Sequence, residues 1–181
     1  STLIHWHVLF TTLWLVLMIS QSTLVQTNRV DLHRLFGLFG VVVATGVVFT
    51  GVVVQIDVMA PYAERNNLRS AVGLPFFRLV QLLIFVICVA LAIALRNSRP
   101  DWHKRLMILG TFALLQAPLV RMYENVFEFR EISGLLGVVS HIILMVLLVI
   151  WDRRTQGKFH PATLWGTILI TLIVFGVGPI P

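Results

Sequence analysis

Residues 35–56 read LFGLFGVVVATGVVFTGVVVQI, an apolar run without a charged side chain. Its length matches the roughly 20 residues that a helix rising about 1.5 Å per residue needs to cross a hydrocarbon core. The apolar positions are continuous rather than alternating. In lipid only helices and closed barrels satisfy their own backbone hydrogen bonds, so the stretch predicts a transmembrane helix. The same reading holds for residues 4–26, 75–95, 106–122, 133–151 and 162–180. The expected fold is all-α: a polytopic transmembrane bundle of about six helices, forming a single domain over residues 1–181.

Composition points the same way. Hydrophobic residues make up 57% of the chain and charged residues 12%, and mean hydropathy is +0.89, beyond what a soluble domain of this size carries. The first residue is a serine, and no cleavable signal peptide is expected in the given residues. The single Cys88 falls in the third span, where it forms no internal disulfide.

The connections between spans sort by charge. One set holds Arg29, Arg34, Arg96, Arg99, Lys104, Arg105, Arg153, Arg154 and Lys158, nine of the fourteen basic residues, against Asp31, Asp101 and Asp152. The other holds Arg65, Arg69, Arg78, Arg121 and Arg130 against Asp57, Glu64, Glu124, Glu128 and Glu131, and is neutral. The basic set reads as cytoplasmic, which puts both termini on the non-cytoplasmic side. The net charge of +6 then belongs to a membrane face that meets anionic lipid, and no nucleic-acid partner is implied. The stretch from Asp57 to Gly73, with Pro61 and Tyr62 among polar residues, reads as the main external loop.

Two of the basic connections look alike. Asp31-Leu32-His33-Arg34 leads into the second span and Asp101-Trp102-His103-Lys104 into the fourth, with Gly40 and Gly110 each seven residues past the histidine. The offset of seventy residues is one helical hairpin. Either the first two spans are echoed by the next two, or two loops leading into spans resemble each other by chance.

Helical spacing shows which face of each span turns inward. In the second span His33, Gly37, Gly40, Ala44, Gly51 and Gln55 form one small or polar stripe, of the kind that lets helices approach closely in lipid. The first span aligns His7, Thr11, Trp14, Met18 and Gln21; the third Arg78, Gln81 and Cys88; the fourth His103, Met107, Gly110, Leu114, Ala117 and Arg121; the fifth carries Ser140 and His141. The sixth has nothing ionisable beyond its ends and is expected at the periphery.

Polar groups inside a bilayer are functional candidates by default. An outer layer combines His5, His7, Arg78, Gln81, Gln116, Arg121 and His141, with Glu124, Glu128 and Glu131 above it; an inner layer combines Gln21, His33 and His103. The arginines also fit as snorkelling side chains, and His33 and His103 as ordinary boundary residues. His141 lies about 12 Å inside its helix, too deep for an imidazole to reach water. Two imidazoles on facing helices suit the iron of a b-type haem, with His33 and His103 on one side and His7 and His141 on the other. His5 and His7 with a third nitrogen or a loop glutamate suit copper or zinc only if the helix start is frayed or extended. Arg, Gln and His side chains in an apolar cleft suit a quinone or lipid headgroup.

His5-Trp6-His7 at the first span, Asp31-Leu32-His33-Arg34-Leu35-Phe36-Gly37 at the second, and His103-Lys104-Arg105-Leu106-Met107 followed by Ala117 and Arg121 resemble small bacterial multi-pass membrane proteins of unknown function. These are distantly similar to cytochrome b561-type bundles and to the small membrane assembly factors of haem-copper oxidases. The likeness spans about the first 120 residues. It implies a multi-pass protein of the bacterial inner membrane, near respiratory or photosynthetic electron transfer. A b561-type core would hold its histidines deeper than His33 and His103 stand. Three functions fit these features: a non-catalytic accessory or assembly subunit among other membrane subunits, a b-type haem protein carrying electrons, and a small transporter. No nucleophile with an adjacent base and no phosphate loop marks an enzyme.

Overall fold

The structure, a computed structural model, describes the backbone of residues 2–64 and 68–177, and the side chains of these except 60–64, 68–72, 74 and 174–177. Among the described residues it is all-helical: α1 (Thr2–Gln26), α2 (Val30–Glu64), α3 (Leu68–Leu95), α4 (Pro100–Asn125), α5 (Ser133–Gln156) and α6 (Pro161–Val177). The first five contain segments long and apolar enough to cross a membrane, which makes this a multi-pass membrane protein. At 17 residues α6 reaches about 25 Å, short of a hydrocarbon core about 30 Å thick. The sixth span was expected to end at residue 180; positions 178–181 lie outside the described residues.

The helices start and stop where local chemistry says they must. Pro100 and Pro161 open α4 and α6, positions where a missing N–H costs nothing. Gly157 closes α5 in the left-handed conformation, φ 71°, and its N–H donates to Arg153 O at 3.0 Å. Asn28 takes φ 58° just past α1. The expected outer loop from Asp57 to Gly73 is largely helical instead, because α2 runs to Glu64 and α3 begins at Leu68; positions 65–67 lie outside the described residues. Polar composition hid this, since helical hydrogen bonds are local and continue into water as readily as in lipid.

The chain divides into two compact units, Ser1–Leu79 and Val80–Pro181. In the first, α1 and α2 form a tight hairpin. Trp14, Leu17, Val43 and Val47 are buried. A side chain at Gly40 would meet Leu17 Cδ2 at 3.1 Å, and one at Gly46 would overlap the Phe10 ring. The predicted stripe is largely correct: Gly40, Ala44, Gly51 and Gln55 are buried, while Gly37 is exposed with open space beside it.

In the second unit α4 is central. It meets the described end of α3 at Gly110, where an added Cβ would sit 2.9 Å from Cys88 Cβ. It meets α5 at Val120, which occupies the space a side chain on Gly137 would need, and α6 at Leu109, which does the same at Gly166. Small residues thus mark each close approach, as packing in lipid favours. The expected inward face of α4 is rotated. Arg105, Leu106, Leu109, Gly110, Thr111, Ala113 and Gln116 are its buried residues, and Arg121 is exposed. Nor is α6 peripheral, since Ala162, Thr163 and Ile170 are buried and the helix packs on both α4 and α5.

Candidate functional site

Two polar assemblies lie on the α4–α5 pair. The first gathers at the end where α4 starts, α5 stops and α6 starts. Arg105 and Asp152, each 2% exposed, face each other across the two helices. The Arg105 Nε donates to Oδ1 and Oδ2 of Asp152 at 3.1 and 3.2 Å, its Nη2 is also bonded to Oδ1, and its Nη1 donates to the Asp101 carbonyl at 2.6 Å. Gln156 Nε2 donates to Asp152 Oδ1 at 3.1 Å. A planar guanidinium with several fixed donors suits such a buried two-oxygen acceptor better than an ammonium would.

His160 extends this assembly to α6. The Ala162 N–H donates to His160 Nδ1 at 3.2 Å, so Nδ1 is bare and the proton rides on Nε2, which donates to Asp101 Oδ2 at 2.8 Å. The ring thereby caps an otherwise orphaned N–H at the start of α6 and ties it to α4. Trp102 meets the His160 ring edge-on, with centroids 5.5 Å apart.

Sequence reasoning assigned Arg105, Asp101 and Asp152 to a cytoplasmic connection as plain loop charges. The structure corrects this for Arg105 and Asp152, which are buried partners. The available signal was Asp152 at the end of an apolar run, one position past the expected span.

The second assembly lies deeper. Gln81 Nε2 on α3 donates to Gln116 Oε1 on α4 at 2.6 Å, and both residues are buried. The helix register brings His141 to the same level. Arg105 faces Asp152, Val120 faces Gly137, and Ser133 Oγ donates to Glu124 Oε1 at 3.2 Å. Each step forward on α4 is matched by one step back on α5, so Gln116 stands opposite His141. His141 is fully buried, at 0% exposure, and neither of its ring nitrogens has a hydrogen-bond partner among the described residues. An unmet polar group of this kind costs about 1–3 kcal/mol. The sequence-based expectation that this imidazole faces the interior holds.

The remaining candidates are distributed as follows. His7 donates from Nδ1 to Thr50 Oγ1 at 3.1 Å, because the Thr50 hydroxyl hydrogen is directed to Gly46 O at 2.6 Å. His7 and His33 belong to the first unit, His103 and His141 to the second. His103 donates from Nδ1 to Ala92 O at 2.8 Å, a bond between α4 and α3. Along α4, His103 lies about 20 Å from the level of His141, so these two do not share a site. Arg78 is half-buried on α3. Among the described residues no group of three or more His, Cys, Asp and Glu is arranged to hold a metal ion.

Comparison with protein-family models, with curated proteins and with solved structures finds no match to this chain.

Proposed function

We propose that this protein is an integral accessory or assembly subunit of a larger bioenergetic complex in the bacterial inner membrane, with both termini on the non-cytoplasmic side and no catalysis of its own. One observation carries the reading: several polar side chains within the described helices tie one helix to another. Arg105 binds Asp152, Gln81 binds Gln116, His103 binds the α3 backbone, and His7 binds Thr50. Tyr123 and Ser140 add a further bond at 2.7 Å between α4 and α5. A scaffold spends its polar groups in this way. A transport path turns them toward water.

His141 favours a second reading, a b-type haem protein or a quinone-binding subunit. Its ring nitrogens are without partners in a buried layer that also holds Gln81 and Gln116. His141 would offer one of these nitrogens to a haem iron, or would join the glutamine amides in hydrogen-bonding a quinone headgroup. The bound group would supply one- or two-electron chemistry, while the chain holds it and excludes water. Among the described residues no cluster favours the transporter reading.

Visible spectra of the oxidised and dithionite-reduced protein in mild detergent, with co-purifying proteins identified from the same sample, test both readings. A colourless protein that travels with a defined membrane complex supports the accessory role. A reduced b-type signal lost in His141→Leu replaces it with the second reading.

A further inference from the structure

The end of the second unit where α4 and α6 begin and α5 stops carries more positive charge than it balances. Arg96, Arg99, Lys104, Arg153, Arg154 and Lys158 are exposed there, and the acids at the same end are Asp101 and Asp152. Both acids are already engaged. Asp152 is buried against Arg105, and Asp101 accepts from His160. Among the described residues the ion pairs are these two, so none of the six exposed cations is matched with an acid.

Three of the six belong to the joint between α5 and α6. Gly157 turns the chain in its left-handed conformation, with its N–H on Arg153 O, and Phe159 comes back beneath Arg153. The Arg153 guanidinium carbon stands 5.2 Å from the Phe159 ring centroid. The ring attracts the cation through its quadrupole and narrows its freedom without taking an N–H donor. Arg153 is thereby held with its fork of donors unspent, and Arg154 and Lys158 add charge within the same joint. A phosphate suits this arrangement: the planar fork binds two oxygens at once and the ammonium supplies a point charge.

The surroundings suit a lipid better than a dissolved ion. Trp151, Phe159 and Trp165 are 52%, 54% and 67% exposed, and they stand where the apolar parts of α5 and α6 end. Aromatic side chains at that level meet the headgroup boundary of a bilayer. We propose that the α5–α6 joint is a binding site for the phosphate of an anionic phospholipid, with Arg153 bridging the oxygens and Arg154 and Lys158 completing the positive pocket. All of these residues belong to the second unit. The site requires only that the chain spans a membrane, and stands apart from either reading of function.

The test titrates the full chain, purified in mild detergent, with short-chain phosphatidylglycerol, with phosphatidylcholine of the same acyl chains and with inorganic phosphate, and counts bound molecules by native mass spectrometry. One phosphatidylglycerol should bind at least about tenfold more tightly than phosphatidylcholine, a modest demand on three cations near one phosphate, and inorganic phosphate should bind far more weakly than either. Arg153→Gln and Lys158→Gln should each erase most of the preference. Arg96→Gln removes an exposed cation from the same end but outside the joint, and should leave the preference intact. Arg153→Lys should restore only part of it, because the ammonium lacks the fork. All these side chains are exposed, and Lys158→Gln, which lies between the helices, keeps the test decisive should Arg153→Gln unfold. Equal weakening by Arg96→Gln and Arg153→Gln would reduce the site to the diffuse attraction of a charged face and overturn the proposal, as would an Arg153→Lys chain that matches the parent. Equal binding of the two lipids also overturns it. Phosphate held as tightly as phosphatidylglycerol would make this a site for a soluble anion and end the lipid assignment.

Discussion

The α4–α5 pair treats its two polar levels in opposite ways. At Arg105 the buried charge has an acid on the facing helix, a backbone carbonyl one turn back, and a neighbouring amide bonded to the same acid. At His141, about 16 Å further along the pair, an equally buried imidazole has neither nitrogen bonded. Both sites exclude water, so the contrast lies in how completely the chain answers its own polar groups. A saturated cluster works as a fastener. An unsaturated one has capacity left for something the chain does not contain.

The sharpest way to break the comparison is at the fastener. Asp152→Ala should cost about 3–5 kcal/mol, because Arg105 would remain buried without its counter-charge. The loss is read as a lowered unfolding temperature in detergent, and a paired Arg105→Met with Asp152→Leu should recover most of it, since replacing both partners removes the stranded charge. A single variant as stable as the parent would mean that water or lipid headgroups reach Arg105.

Gly137→Leu comes next. It lies one turn beyond the His141 level, on the side away from Arg105, where Val120 already fills the space, and overpacking should cost about 1–3 kcal/mol. If Gln116 and His141 share a level through this contact, the variant should disturb any ligand signal at His141 as well as stability.

His160→Ala should cost about 1 kcal/mol, the scale of a lost helix cap. Its effect should concentrate on α6, measured as faster amide hydrogen exchange at its first turn, with the Arg105–Asp152 contact unchanged. Uniformly faster exchange across α4 and α5 would show that the fastener depends on the ring.

The smallest effect on folding belongs to His141→Leu. Removing an unmet polar group from an apolar interior should leave stability within about 1 kcal/mol or raise it slightly. A large loss would show that the imidazole does have a partner in the folded protein, and would erase the contrast between the two levels.

The fold was legible because bilayer thickness sets helix length, and a residue such as Leu35 or Val42 announces lipid without reference to anything distant. The inward stripe of α2 was legible for a related reason: Gly40, Ala44 and Gly51 carry the helical period within a single segment. His141 could be placed inside by depth alone. Arg105 could not. It stands just before an apolar run, so composition assigns it to the loop, and its partner is 47 residues away on another helix. The same non-local pairing hid the role of His160, whose bond to Asp101 crosses 59 residues. Arg121 failed in the reverse sense, because a stripe drawn through His103 and Gly110 misses the rotation that burying Arg105 imposes on α4.

The distance in sequence between Arg105 and Asp152 also has a consequence in time. At a synthesis rate of about 5–20 residues per second, roughly 2–9 s pass between the appearance of the arginine at the ribosome and that of the aspartate that answers it. During that interval α4 carries the guanidinium of Arg105 without the acid that answers it in the folded protein. The pair can close only once α5 has been made, so the contact that fastens α4 to α5 belongs to a late step of synthesis.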